Sequence, residues 1–317
     1  MGRCAIIDLG SNTIRLVVYA VEANSFTTLV NESAFLGIIR YVNDGVLSDE
    51  GLERIVDSLE EFTKLASLLE CERQFCFATA SLRGIKNADY VCRIVQERTG
   101  VQVLCLSGEE EAKYDSLGLL CAKPQLADAV GCDVGGGSGQ IFVLQQKELT
   151  QCVSLPIGCL KLYNDFVKGL LPRKSEAQRL YRHAKELLRQ APLKKAQGEL
   201  LYAMGGTARA MAKLHRSMVA TKMPVQDYRV DVEDINVMIA TIRNMGMEGI
   251  KLLNKVIPER AHTIIPGMLV LKAIAKTMGV KNIQIVRTGV REGFLTANVL
   301  GASGTPLAEN RMNQQGE

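Results

Sequence analysis

No stretch of the chain reaches the roughly 18 apolar residues that a bilayer span requires, although 47% of its 317 residues are hydrophobic. Between Met1-Gly2-Arg3 and Asp8 there are only a few apolar residues, too few for the apolar region of a secretory leader. A cytoplasmic protein with no membrane partner is expected. None of the nine cysteines stands at C-x-x-C spacing from another, which removes the usual zinc-ligand pattern. Most lie in apolar stretches such as Gln74-Phe75-Cys76-Phe77 and are expected as buried free thiols in a reducing compartment. No segment is of low complexity. The G-x-x-x-x-G-K-[ST] and G-x-G-x-x-G phosphate loops are both absent. The net charge is only +4, and no nucleic-acid polymer is expected as a partner.

What is present is uneven charge. Residues 43–72 carry nine acids and two bases, whereas residues 161–195 carry ten bases and three acids. A basic segment suits a polyanionic ligand, and equally a solvated helical face. Hydrophobic periodicity alternates between strand and helix, which predicts an α/β fold. Strands are expected at 4–7, 14–21, 74–79, 101–106, 128–133, 140–145, 149–155 and 282–287. Helices are expected at 52–69, 89–98, 108–121, 175–190, 207–217, 232–246 and 263–278, with a last one from about Glu292. Ser48 is placed to cap the first helix, and Ser175 with Gln178 has capping-box spacing. The polar stretch Lys123-Pro124-Gln125 marks the expected boundary, giving lobes at 1–124 and 125–291, with 292–302 joining the first lobe and a polar tail at 303–317.

An internal repeat supports two related lobes. Asp8-Leu-Gly-Ser-Asn and Asp133-Val-Gly-Gly-Gly-Ser each follow one apolar strand and precede another. Glycine lets a backbone approach a ligand closely, and successive N–H groups in such a turn form an anion nest. Ser11, Asn12, Thr13 and Ser138 add side-chain donors. The aspartates cannot attract a phosphate directly, so they suit a magnesium ion or the orientation of water. A third turn, Gly205-Gly206-Thr207, opens a helix whose N-terminus favours phosphate. In Ser107-Gly108-Glu109-Glu110-Glu111, the first serine and Glu110 make a capping box, and the acids suit the helix dipole. Glu111 is then surplus to capping and available as a proton acceptor.

The segments Asp8-Leu-Gly-Ser-Asn-Thr-Ile-Arg-Leu, Ala78-Thr-Ala-Ser-Leu-Arg83, Ser107-Gly-Glu-Glu-Glu-Ala112, Asp133-Val-Gly-Gly-Gly-Ser138, Gly205-Gly-Thr-Ala-Arg209 and Val290-Arg-Glu-Gly293 occur in one order. Together they resemble the exopolyphosphatase/guanosine pentaphosphatase (Ppx/GppA) family of the actin/sugar kinase/heat-shock ATPase superfamily. The resemblance implies two ribonuclease H-like lobes around a central cleft, and often a homodimer. It implies magnesium-dependent release of the terminal phosphate of inorganic polyphosphate, or of the 5′ γ-phosphate of guanosine pentaphosphate. By the same resemblance Glu111, Asp133 and Arg83 are the catalytic candidates, Glu111 activating water and Arg83 looking onto the phosphates, and Asp8, Asp133 and Glu111 are the metal-ligand candidates. Gly10, Ser11, Asn12, Thr13, Arg15, Gly135, Gly136, Gly137, Ser138, Gly205, Gly206, Thr207 and Arg260 are the phosphate-binding candidates.

Two departures keep alternatives open. Members usually end the second phosphate motif in Ser-Thr-Glu, whereas this chain reads Ser138-Gly139-Gln140. A neutral amide cannot supply a carboxylate's charge to a metal. The chain also stops at 317 residues, as in a short form without the helical C-terminal domain of long members. A phosphotransferase of the same superfamily and a non-catalytic guanosine tetra- or pentaphosphate sensor remain the competing readings.

Overall fold

The computed structural model describes residues 2–23, 25–194 and 200–301. The expected tail at 303–317 lies outside these residues. The chain divides into two compact units, Met1–Glu111 with the chain from Phe294 onward, and Ala112–Gly293.

The first unit contains β1 (Gly2–Leu9), β2 (Thr13–Val21), β3 (Phe26–Phe35), β4 (Val42–Asn43), β5 (Val46–Leu47), α1 (Asp49–Leu68), β6 (Arg73–Ala78), α2 (Ala88–Thr99), β7 (Val103–Cys105) and the first turn of α3 (Gly108–Ala122). Its main sheet runs β3-β2-β1-β6-β7. The first three strands are antiparallel neighbours, and β6 and β7 continue the sheet in parallel with β1. Ser48 caps α1 by accepting the Gly51 N–H at 3.3 Å, as its position predicts. Leu52, Ile55, Val56, Leu59, Phe62 and Ala66 form the buried face of α1. Each large side chain there contributes about 1.5–3 kcal/mol relative to exposure. Leu68, off that face, is exposed.

The second unit begins within α3. Leu119, on the later turns of α3, packs with Ala129, Phe142, Tyr202, Met204 and Val286. That apolar contact explains why the division falls after Glu111, before the polar stretch at Lys123-Pro124-Gln125. The remaining elements are β8 (Ala129–Val134), β9 (Gly139–Gln145), β10 (Glu148–Leu155), α4 (Cys159–Phe166), α5 (Lys174–Gln190), β11 (Leu200–Met204), α6 (Gly205–Met218), β12 (Arg229–Asp231), α7 (Asp234–Asn244), α8 (Met247–Val256), α9 (Ile264–Met278), β13 (Asn282–Ile285) and α10 (Val290–Asn298). The sheet order is β10-β9-β8-β11-β13-β12. Its first five strands reproduce the order and sense of the first sheet, so the repeat seen in the turns extends to the whole topology. Helix α9 is the centre of this unit's core, with twelve of its residues buried.

The last turns of α10 belong to the first unit. There Phe294 packs on Phe75 and Phe77, at 5.4 and 5.2 Å between ring centroids, and Arg73 donates to the Asn298 carbonyl at 3.2 Å.

Two expectations require correction. The Ser175/Gln178 capping box does not form. Helix α5 begins at Lys174, and the Glu176 carboxylate accepts the Arg173 N–H at 2.8 Å, because a charged acceptor fits the positive helix end better than a hydroxyl. The single helix expected over 232–246 stops at Asn244. Gly246, at φ 55°, turns the chain into a separate α8.

Candidate active site

In the first unit, β1 and β2 pair so that Asp8 stands opposite Arg15 and Leu9 opposite Ile14. The intervening turn is closed by the Gly10 N–H donating to the Thr13 carbonyl at 3.1 Å. The Asn12 carbonyl accepts from the N–H groups of Leu36 and Gly37, both at 3.0 Å, which ties the turn to the segment after β3. Ser11 is buried at 6% exposure. The Ser81 hydroxyl donates to the Leu9 carbonyl. The segment leading to Arg83 is thereby fastened to the Asp8–Thr13 turn. Arg15 donates to Asn31 on β3.

The acidic helix start is built as its sequence predicts. The Glu110 carboxylate accepts the Ser107 N–H at 2.8 Å, and the Ser107 hydroxyl accepts the Glu110 N–H at 3.1 Å. Glu111 is thus released from capping. Its Oε2 accepts from Arg83 Nη1 at 3.0 Å, with the Glu111 side chain 12% exposed. The same Arg83 nitrogen donates to the Leu106 carbonyl at 3.2 Å. A carboxylate held in an ion pair is deprotonated, which is the state a base requires.

In the second unit, β8 and β9 place Asp133 opposite Gln140, matching Asp8 opposite Arg15. The Gly135 N–H donates to the Ser138 carbonyl at 3.0 Å, the same closure as in the first turn. The N-terminus of α4 grips this turn from behind. The carbonyls of Gly135 and Gly136 accept from Cys159 and from Leu160 and Lys161 at 2.9–3.0 Å, and Gly137 accepts from Gly158 at 3.3 Å. A Cβ on Gly158 would collide with the Gly136 carbonyl. The N–H groups of Gly136 and Gly137 make no bond within the described residues and remain as anion donors.

The third turn meets the second. Gly205, at φ 76°, opens α6, and a Cβ on it would strike the Asp133 carboxylate. A Cβ on Gly206 would strike the Arg260 guanidinium. Thr207 donates to the Val134 carbonyl at 2.6 Å, and Arg260 Nη1 lies 3.5 Å from the Thr207 hydroxyl. Within this unit, Asp133, the Gly135–Ser138 turn, the start of α6 and Arg260 therefore form one cradle: a helix N-terminus, a nest of N–H groups and a cation beside one carboxylate.

Sequence reasoning did not single out Gly158, Cys159, Ser81 or Asp115. Asp115 is 1% exposed, and Gly289 separates its carboxylate from that of Asp133. Its spacing of four from Glu111 on a helix was the available signal. The Arg291-Glu292-Gly293 motif has a packing role. Glu292 accepts the Gly289 N–H at 2.9 Å, and Gly293 lets α10 approach the Tyr114 carbonyl of α3.

Gln140 is 1% exposed, and its amide donates to the hydroxyls of Ser138 and Ser154, both at 2.9 Å. Among the described residues no three His, Cys, Asp or Glu side chains form a ready metal cluster. Nor is any helix among them long and apolar enough to cross a membrane.

The profile of the Ppx/GppA phosphatase family matches residues 17–301. Exopolyphosphatase 1 of Mycobacterium tuberculosis is 25% identical over 315 residues, covering 97% of this chain and 92% of that protein. A guanosine-5′-triphosphate,3′-diphosphate pyrophosphatase of Pseudoalteromonas atlantica is 31% identical over 157 residues, covering 49% of this chain and 31% of that protein. The crystal structure of an exopolyphosphatase from Cytophaga hutchinsonii shares the fold, with a TM-score of 0.82 at 20% identity over 95% of this chain and 99% of that one. With its six motifs in order, its twice-used sheet topology and a family match over nearly its whole length, the chain belongs to the Ppx/GppA phosphatase family.

Proposed function

We propose that this phosphatase hydrolyses a terminal phosphoanhydride, releasing the end phosphate of inorganic polyphosphate or the 5′ γ-phosphate of guanosine pentaphosphate. The observation that carries the proposal is the Arg83–Glu111 pair at 3.0 Å, fastened to a phosphate-type turn through Ser81. Glu111 accepts a proton from the attacking water as its oxygen bonds to phosphorus and the bridging P–O bond breaks. Arg83 steadies the carboxylate and offsets charge on the phosphoryl oxygens. Within the second unit, the turn's N–H donors, the α6 N-terminus and Arg260 form an anion-binding cradle of their own.

Asp8 in the first unit and Asp133 in the second each offer the hard carboxylate oxygens that magnesium takes. A bound magnesium would neutralise phosphate charge. Glu111, committed to Arg83, is assigned to the base and not to the metal.

The test is phosphate release from polyphosphates of defined length, guanosine pentaphosphate and ATP, with magnesium and no acceptor present. Release from either of the first two substrates supports the proposal. Tight nucleotide binding without release would replace it with the sensor reading. Transfer only to an added acceptor would replace it with a kinase.

A further inference from the structure

Two cysteines that the proposed chemistry does not use lie in contact. Cys92 on α2 and Cys105, the last residue of β7, have their sulfurs 3.6 Å apart, and both are partly accessible. The remaining approach to a disulfide bond is about 1.5 Å. The position matters because Cys105 leads directly into the segment that carries Glu111. Leu106 donates its N–H to the Ala78 carbonyl at 2.8 Å and offers its own carbonyl to Arg83 at 3.2 Å. Ser107 then starts the turn that presents Glu111.

We propose that Cys92 and Cys105 form a reversible disulfide on exposure to a peroxide, and that closing it displaces the Leu106–Glu111 segment. The effect on turnover rests on the functional reading above, whereas the disulfide itself does not.

The chemistry balances with hydrogen peroxide as the oxidant. The hydrogen bond to Cys105 pushes the Cys92 thiol upward, with burial adding to it, which favours Cys105 as the attacking sulfur. Cys105, having given up its thiol proton, attacks one peroxide oxygen; the O–O bond breaks and the departing hydroxide takes up that proton as water, giving a sulfenic acid. The Cys92 sulfur then attacks the Cys105 sulfur, the S–O bond breaks, and water departs with the Cys92 proton. Two thiols have lost two electrons, and one peroxide has become two waters. Cys76, the other nearby thiol, is buried, and burial pushes it upward, so it does not compete.

The full chain is treated with hydrogen peroxide, then mapped by mass spectrometry and by hydrogen exchange, before and after dithiothreitol. The expected result is a Cys92–Cys105-linked peptide, faster exchange over residues 106–111, and recovery of both on reduction. Phosphate release from polyphosphate should fall by up to roughly 100-fold, the scale on which a misplacement of about 1 Å acts, and return with dithiothreitol. Cys92→Ala and Cys105→Ser should each lose the response, so poor folding of one variant leaves the other as the test. A linkage to another cysteine, oxidation to sulfinic acid alone, or a Cys92–Cys105 bond that leaves exchange over 106–111 unchanged would overturn the proposal. If the reduced chain releases no phosphate, the functional reading fails, while linkage and exchange still decide this inference.

Discussion

Arg83 Nη1 divides its donation between Glu111 Oε2 at 3.0 Å and the Leu106 carbonyl at 3.2 Å, so one nitrogen both pairs the carboxylate and anchors the segment that delivers it. Removing either partner should therefore affect the same step. Glu111→Gln keeps the size and loses the proton acceptor. Its turnover should drop by roughly 10²–10⁴-fold, the usual scale of a lost general base, with substrate affinity little changed. Arg83→Lys keeps a charge but loses the planar fork, so it should retain more activity than Arg83→Ala. Phosphate release and direct substrate binding, measured on the same preparations, check both expectations. Equal turnover in Glu111→Gln would remove that residue from the base role.

Two glycines of the second unit should resist even alanine. At Gly205 the positive φ alone costs an L-residue about 1–2 kcal/mol, and the new methyl would also displace the Asp133 carboxylate. At Gly158 the clash is with the Gly136 carbonyl, so the anion turn itself must move. Gly205→Ala and Gly158→Ala should both weaken phosphate binding. Gly301→Ala, where a Cβ would meet nothing within 4 Å, is the control for the cost of φ by itself. Calorimetric titration with inorganic phosphate reads the difference.

Gln140→Glu should change how the protein responds to magnesium. The new carboxylate would sit at a 1% exposed position among two hydroxyls that now accept from the amide. Both hydroxyls can rotate to donate instead, but a buried charge remains costly until a cation joins it. The variant should melt below the parent without metal and regain stability when magnesium is added. The parent should show a smaller magnesium-dependent shift. Identical shifts in the two proteins would show that this position does not communicate with a metal site.

Acid should loosen the start of α5. The backbone N–H of Arg173 holds the Glu176 carboxyl below the usual carboxylate range. A lowered folded value means that the stabilisation is present above the unfolded value and is lost as pH falls through the folded one. Glu176→Gln should be less stable than the parent at neutral pH, and the gap should close below roughly pH 4. Thermal unfolding of both proteins across that range tests the sign, and a gap that widened on acidification would refute it.

How much of this was legible in the sequence depended on whether the cause was local. Ser48 and the Ser107/Glu110 pair announced their helices because capping is decided within four residues. The two Asp-x-Gly turns were visible because strand alternation frames them. Strand β3 was missed since it is an edge strand with most residues exposed, so no alternation of polarity marks it. Helix α4 is only eight residues long, too short for a period to emerge. Arg83 and Arg260 were named from family resemblance, and neither spacing nor composition points to them. Ser81 and Gly158 act on residues far away in the chain, the first through Leu9 and the second through Gly136, and no window of sequence contains both partners.

The grip of α4 on the Gly135–Gly137 carbonyls has a consequence for affinity. Glycine-rich loops are ordinarily floppy, and a ligand that must freeze one gives up part of its binding energy in doing so. Here the freezing is done in advance by a neighbouring helix, whose own terminal N–H groups would otherwise lack acceptors. An incoming anion therefore finds the loop already shaped, and its charge can act on the reaction instead of on the fold.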